Sequence, residues 1–417
     1  MARKGETMGE NGFKDVAAVR KNPKFTEFSA RKNELYSEKG EVRSPFARDY
    51  TRVLHSTAYR RLKHKTQVFY NIENDHICTR MEHVLHVESA AYTIAKRLKL
   101  NDELTRAIAM AHDLGHAPFG HHGERIIDAL YKKYLGEAFW HEKNGLYLVD
   151  KIELLPDHEN VYRNLNLTYA VRDGILSHCG EMDKNGIKPR GECFDLCAFT
   201  LPGQYEPATY EGCVVKLSDK IAYVGRDIED ALNLGFLSAA NVSKLQKIVG
   251  MKAGEAVNTS TIMSNMILDV CSVSTIEKGI CLSEETSEKL NKIKAFNNEY
   301  IYQNKRFGAF NRYAELVIKE LFFTLYSCYR GGDPVAGLNK KRAAYPVLIG
   351  EFCDYLFKYC DERFAKEAGW KKSGVYENEK VYGSLQNKTL YARAVLDYIA
   401  GMTDRFAVKC FNELITY

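Results

Sequence analysis

Sixteen residues constrain this chain more than any other stretch: AMAHDLGHAPFGHHGE, from Ala109 to Glu124, ends an apolar helical run on His112-Asp113 and crowds His116, His121 and His122 onto a turn. Gly115, Pro118, Gly120 and Gly123 interrupt any helix there, so the fold has to present several imidazoles at a helix end. Neutral imidazoles and ionised carboxylates are good ligands for a divalent ion, whereas four close histidines with no ligand or partner would fill an apolar core poorly. Neighbouring residues on a helix differ by about 100°. His112 and Asp113 therefore approach one ion from adjacent directions. The 12 His are not counted in the net charge of +5, and their uneven placement says more than their number.

Two other segments supply partners. Arg80 and His83 stand at i,i+3 on RMEHVLHVESAAYTIAKRLK, an amphipathic helix expected over 80–99, so a phosphate-binding guanidinium and an imidazole point together. The segment EGCVVKLSDKIAYVGRDIEDALNLG, from Glu211, carries Asp219, Tyr223 and Asp227 at i, i+4 and i+8, a polar stripe on an otherwise apolar helix. A ring of His83, His112, Asp113 and Asp219 supplies two imidazoles and two carboxylates. It leaves positions for water and a phosphate oxygen on Mn²⁺, Mg²⁺ or an iron-like ion, with Zn²⁺ a further candidate. The 11 Cys form no paired CxxC modules, which argues against a structural zinc site or disulfide framework; Cys193 and Cys197 read as structural thiols in a Gly- and Pro-containing loop.

The rest of the chain reads as mainly α. Helical periodicity predicts further helices over 102–114, 124–135, 141–155, 168–178, 211–237, 241–252, 258–270, 284–303, 310–330, 341–367 and 388–415. The alternative is an α+β fold in which TQVFY and VYENEKVY make a small sheet. No repeat of fixed period is present. We expect a loosely packed, charged arm over 1–44, a catalytic core over 45–237 and a helical region over 238–417, with 388–417 folding back on the core or lying at an interface. The stretch KNGIKPRGECFDLCAFTLPGQYEP from Lys184 reads as a long loop, and 331–340 and 368–387 as exposed connections. No apolar run approaches the roughly 18–20 residues a membrane span needs. The opening MARKGETMGENGF lacks an apolar signal core, which makes a cytoplasmic location the expectation.

Taken in order, SPFARDYTRVLHSTAYRRLKHKTQVF, RMEH, AHDLGHAPFGHHGE, LNLTYAVRDGIL, VVKLSDKIAYVGRDIEDA and DYIAGMTDRFA cover most of the chain. Their separated H…HD…D series resembles the HD-domain metal-dependent phosphohydrolases, and the wider pattern resembles the deoxyguanosine triphosphate triphosphohydrolase subgroup. The resemblance implies an HD-domain helical phosphohydrolase core with additional C-terminal helices. It implies hydrolysis of a deoxynucleoside triphosphate at the α-phosphorus, releasing deoxynucleoside and intact triphosphate, and a homo-oligomer. His83, His112, Asp113 and Asp219 match the family's metal ligands. His116 and His121 match active-site histidines, and His141-Glu142 in FWHEKNG resembles an acid/base-supporting segment. Arg80, Lys220 and Tyr223 fall at phosphate or sugar contacts, and Gln67 and Asp227 fit recognition of a 3′-hydroxyl. His86 departs from the pattern, standing where many relatives carry an acidic residue.

In such a site Arg80 holds phosphate through bidentate contacts and Lys220 through point-charge attraction. His121 is the preferred proton-transfer residue, with His116 assisting at the leaving phosphate and Glu142 or Glu124 tuning them. Three readings compete with this one. Another HD enzyme, a 5′-nucleotidase or phosphodiesterase, would release phosphate or a monophosphate. A single-stranded nucleic-acid binder would use TAYRRLKHK at 57–65 and KKR at 340–342. A regulatory scaffold would assemble on nucleotide without turning it over.

Overall fold

Apolar residues recur every three to four positions along most of the chain, and helices form there. The computed structural model describes residues 12–35, 40–70, 76–179, 185–252, 255–330, 332–370, 374–385 and 387–416. The helices that build the site are α1 (Arg80–Leu98), α2 (Asp102–Ala111), α3 (Gly120–Leu135), α4 (His141–Tyr147), α5 (Tyr169–Ser177), α6 (Tyr210–Asn233), α7 (Glu284–Asn297), α8 (Phe307–Tyr326), α9 (Lys388–Ala400) and α10 (Asp404–Ile415). α1 lies between α2 and α6, and α3 packs on α8 and α9. Among the described residues no helix is long and apolar enough to cross a membrane.

Several expected helices are shorter or divided. The stretch expected over 341–367 is parts of three helices, Pro334–Arg342, Pro346–Tyr359 and Glu362–Glu367, because Pro346 starts a new one at its first position. The stretch over 388–415 breaks at Gly401, and the Thr403 side chain caps α10 by accepting from the Phe406 N–H. The one over 141–155 passes through a wide π turn, Leu148–Ile152, into a strand. A three-stranded sheet is present, but it differs from the one considered above. Leu154–Pro156 pairs antiparallel with Val161–Asn164, which pairs parallel with Val375–Tyr376. TQVFY stays outside it, touching Thr79 only through an isolated bridge at Thr66.

The expected loose arm is corrected for residues 12–35. Phe13, Ala17, Ala18 and Phe28 are buried in the main core, and the Arg31 guanidinium pairs at 2.6 Å with fully buried Asp49 while donating to the carbonyls of Asn166 and Pro45. The high charge density of the segment conceals these few apolar anchors. Residues 1–11 and 36–39 of the arm, and the start of the 184–210 loop, fall outside the described residues.

Burial also draws a boundary other than the expected one at 237. One core runs from Phe13 through α1, α2, α5 and α6 to Ile301. A second joins Ala117–Ile152 to residues 314–411. The chain passes from the first to the second between Leu114 and Ala117, within the histidine turn. Asp404, at the start of α10, locks this crossing: Oδ1 accepts from the Phe119 N–H at 2.9 Å, and Oδ2 accepts from the Thr66 N–H and hydroxyl at 3.1 and 2.7 Å. Asp404→Ala strands three donors, two of them backbone amides. We expect a stability loss of about 2–4 kcal/mol in urea denaturation, with a larger proportional loss of catalytic rate than of metal content.

Candidate active site

The helix ends aim the imidazoles. His112 follows the last residue of α2, and its Nδ1 donates to the Ala109 carbonyl at 2.7 Å, which leaves the Nε2 lone pair facing inward. Thr79 and Glu82 form a reciprocal cap on α1, fixing the first turn from which buried Arg80 and His83 project. The four residues expected to hold a metal converge. His83 Nε2 lies 2.9 Å from Asp219 Oδ1 and 3.8 Å from Asp113 Oδ2. His112 Nε2 lies 3.4 Å from Asp113 Oδ1 and 3.8 Å from Asp219 Oδ1. Arg80 pairs with Asp113 Oδ2 at 2.8 Å.

The arrangement fits a divalent cation on its own terms. His83, His112 and Asp219 offer ligand atoms within 4.8 Å of one another, and His112 Nε2 is buried with no hydrogen-bond partner. Burial opposes ionisation of Asp113, but His112, His116 and Arg80 hold its carboxyl well below the usual range. Burial likewise opposes Asp219, and its contact with His83 brings it down to about 2. Both carboxylates stay charged at neutral pH.

The turn folds against α4 so closely that a side chain at Gly115 would place its Cβ 1.9 Å from the His141 carbonyl oxygen. Asn144 seals the contact by donating to the Gly115 carbonyl at 2.7 Å. Phe119, at φ +64°, and Gly120, at φ +58°, then turn the chain into α3. His116 Nε2 reaches Asp113 Oδ1 at 3.1 Å, and its ring stacks on His141 at 3.8 Å. Glu124 organises the other side: Oε1 accepts from the His141 N–H at 2.8 Å and lies 3.1 Å from His141 Nδ1, while Oε2 lies 3.5 Å from His121 Nδ1. Burial disfavours a charged His141, but Glu142 and Glu124 overcome it and push its pKa up to about 10. Burial and Arg80 depress His116 well below its ordinary value. His121 has an exposed side chain at the cavity mouth. His122 takes no part, its Nε2 lying 2.9 Å from the Asn311 carbonyl oxygen on α8.

Eleven of the thirteen residues expected in the site line one cavity of about 470 Å³: Gln67, Arg80, His83, Asp113, His116, His121, His141, Asp219, Lys220, Tyr223 and Asp227. The other two, His112 and Glu142, are buried behind them. At the end away from the turn, Tyr302 donates to Asp227 Oδ2 at 2.5 Å, and burial pushes the Asp227 carboxyl up to about 6. Burial and the nearby Lys294 and Lys216 lower the Lys220 ammonium.

Sequence reasoning missed the wall contributed by α7 and the turn after it, where Asn291, Lys294, Asn298 and Tyr302 face the cavity. It also missed His178, which ends α5 as His112 ends α2, its Nδ1 donating to the Ile175 carbonyl at 2.8 Å. The signal was there in the parallel between GILSH and AMAH, both apolar helical runs closed by a histidine. The basic segment TAYRRLKHK is partly spent inside the protein: buried Lys65 donates to the His116 carbonyl, and Arg61 pairs with Glu153 at 2.5 Å. In KKR, Lys341 donates to the Thr324 carbonyl at 3.0 Å.

Comparison with known proteins agrees with this geometry. The HD domain family matches residues 80–224, the span from Arg80 through Asp219, and the phosphohydrolase-associated domain family matches residues 378–413. A deoxyguanosinetriphosphate triphosphohydrolase-like protein of Caldanaerobacter subterraneus subsp. tengcongensis is 34% identical over 378 residues, 90% of this chain and 86% of that protein. Proteins of the same description from Rickettsia peacockii and Rickettsia canadensis are each 32% identical across 91% of this chain, covering 94% and 96% of their own lengths. The chain belongs to the deoxyguanosinetriphosphate triphosphohydrolase-like family of HD-domain proteins. Its mainly helical HD core, clustered metal-binding side chains and additional C-terminal helices are those of a phosphohydrolase.

One buried group makes the stability of this HD-domain phosphohydrolase depend on pH. Burial, aided by Arg61, lowers the Lys65 ammonium from its ordinary 10.5 to about 7. Between those values the unfolded chain binds the extra proton at this group, so the Lys65 contribution to stability rises as pH goes from 7 towards 10. The gain is on the order of a few kcal/mol. His141, raised to about 10, loses stabilisation over the same range, so the test is the difference between two proteins: from pH 7 to pH 9.5 in urea denaturation the parent should gain stability relative to Lys65→Met.

Proposed function

We propose that the protein hydrolyses deoxynucleoside triphosphates, dGTP among them, to deoxynucleoside and inorganic triphosphate. The observation that carries this reading is the ring of His83, His112, Asp113 and Asp219 with Arg80 beside it, opening into a cavity whose far end holds a hydrogen-bonded carboxyl at Asp227. Family membership supports the same reading. His83, His112, Asp113 and Asp219 would hold the divalent ion, and two nitrogens with two carboxylates suit Mn²⁺ or Mg²⁺, an iron-like ion also being compatible. Once bound, the ion supplies Lewis acidity at the α-phosphate and a more acidic attacking water.

The remaining work belongs to the chain. Arg80 sits beside Asp113 to bind phosphate oxygens, and Lys220 adds an ammonium on the same cavity wall. Gln67, whose buried Oε1 lacks a hydrogen bond, and Asp227, steadied by Tyr302, would take the 3′-hydroxyl, and Tyr223 on the same cavity wall would meet the sugar. His121 stands at the mouth with Nδ1 against Glu124 and can pass a proton to or from a reacting oxygen while exchanging it with solvent. His116 is held neutral beside Asp113 and assists at the leaving triphosphate. The His141-Glu142 pair keeps Glu124 and both histidines in register.

Turnover of the four deoxynucleoside triphosphates and GTP, with Mn²⁺ or Mg²⁺ added, tests the reaction. We expect intact triphosphate as the inorganic product, with GTP turned over more slowly; phosphate or pyrophosphate from a folded, active enzyme would overturn the assignment. His121→Ala should lower kcat at least about 100-fold with metal content preserved, as expected for loss of a proton-transfer group. His112→Ala and Asp113→Ala should lose both metal and activity, checked by metal analysis of the purified variants.

A further inference from the structure

The Cys179 thiol lines the cavity and has no part in the reaction proposed above. We infer that Cys179, His141 and Glu142 form a site for a thiophilic divalent cation such as Zn²⁺, apart from the ring of His83, His112, Asp113 and Asp219, and that an ion there stops turnover. The binding stands on geometry and ligand chemistry. The effect on turnover rests on the proposed reaction.

The three side chains each offer a ligand atom, and these atoms lie within 4.8 Å of one another. They come from two neighbouring places in the fold. His141 and Glu142 open α4, and Cys179 stands two residues past the end of α5, which packs on α4. Cys179 and His141 line the cavity, while Glu142 is buried behind them. Neither oxygen of Glu142 has a hydrogen bond, and Oε2 lies 3.5 Å from His141 Nδ1. A carboxylate buried in that state is costly, and a cation beside it offsets the cost. His141, with Nδ1 3.1 Å from Glu124, already has the carboxylate partner that commonly stands behind a metal-bound imidazole.

Ligand chemistry chooses the ion. The ring offers nitrogen and oxygen and suits Mn²⁺ or Mg²⁺, whereas a thiolate joined to an imidazole and a carboxylate selects Zn²⁺ or Cd²⁺. Lys220 interacts electrostatically with Cys179, and a neighbouring ammonium favours the thiolate that metals bind. On binding, the thiol proton and one imidazole proton pass to solvent, and the thiolate and carboxylate together match the charge of the ion. Three protein ligands leave a fourth tetrahedral position for water. Lys220 and Cys179 share the cavity wall, so the ion would occupy space that the substrate's phosphates need. Its charge would also fall beside His116, whose ring stacks on His141. Both effects oppose turnover.

Co²⁺ titration of the Mn²⁺-loaded full-length protein tests the binding, because a thiolate bound to Co²⁺ gives a charge-transfer band in the near ultraviolet that the sulfur-free ring cannot give. The parent should show this band, saturating at one thiolate-bound Co²⁺ per chain. Cys179→Ser should lose it and keep its Mn²⁺-dependent turnover. Cys179→Ala should behave in the same way, with native circular dichroism. Glu142→Gln should need more Co²⁺ to reach saturation. Absence of the band from the parent, its survival in either Cys179 variant, or an unchanged titration in Glu142→Gln overturns the three-residue site. Zn²⁺ added to the turning-over enzyme tests the consequence: half-inhibition of Cys179→Ser should need at least about 10-fold more Zn²⁺ than the parent. Equal sensitivity of the two would put inhibition at the ring and overturn the arrest. The cobalt band needs no substrate, so failure of the proposed reaction leaves the binding result standing, and triphosphate formation without the band refutes this site alone.

Discussion

The ion pair between Arg80 and Asp113 is the constraint on which the site depends. Both side chains are almost wholly inaccessible to water, and burying a carboxylate is costly unless opposite charge and hydrogen bonds surround it. One guanidinium does not balance the four carboxylates in the cluster. The fold meets the rest of the cost by bringing histidines from the ends of α1, α2 and α5 and from the turn to within a few ångströms of Asp113 and its neighbours. Such a cluster is consistent with completion by a divalent cation, and polar atoms such as His112 Nε2 and Glu142 Oε1 are buried in it without hydrogen bonds.

Precision at this site depends on residues distant in sequence. The turn carrying His116, with His121 just inside α3, joins two cores, Leu114 packing in the first and Ala117 and Phe119 in the second. Its position is set by polar clamps on either side: Asp404 on the Phe119 amide, Asn144 and Lys65 on the carbonyls of Gly115 and His116, and Asn311 on His122. Three of these four come from segments outside the histidine stretch and the helices beside it. The C-terminal helices are thus part of the active site's scaffold although they contribute no residue to the cavity lining.

Much of the site was legible in the sequence because its residues obey helical arithmetic. Arg80 with His83, and Asp219 with Tyr223 and Asp227, fall at spacings that put them on one face, and His112-Asp113 sits where an apolar run meets glycine. His178 escaped notice because no carboxylate adjoins it; its partner Asp113 is 65 positions away in the chain and a neighbour only in the fold. Tyr302 and Lys294 escaped for a similar reason, since periodicity marks α7 as a helix without saying what its polar face looks onto. The packed arm was hidden by its charge, with four apolar anchors among many lysines and arginines. The mainly helical class was readable throughout. Where adjoining helices are separated by only three residues, as before Pro346 and at Gly401–Thr403, periodicity carries across the break and merges them.

The two ends of the cavity treat the same functional group in opposite ways. Asp113 and Asp219 are held strongly acidic by neighbouring imidazoles and Arg80, so in the proposed reaction they would act as anionic metal ligands. Asp227, about two helical turns along α6 from Asp219, has Tyr302 as its hydrogen-bond donor, and burial raises it to about 6. Near neutral pH it could accept a hydrogen bond from a sugar hydroxyl and, at slightly lower pH, donate one. A single helix thus carries a strongly acidic and a weakly acidic carboxyl into one cavity about 12 Å apart, eight residues at 1.5 Å each. Environments that push like groups apart in acidity commonly mark divided roles in an active site, and under the proposed reaction this gradient would set the phosphates of the substrate towards the histidine turn and its sugar towards Tyr302.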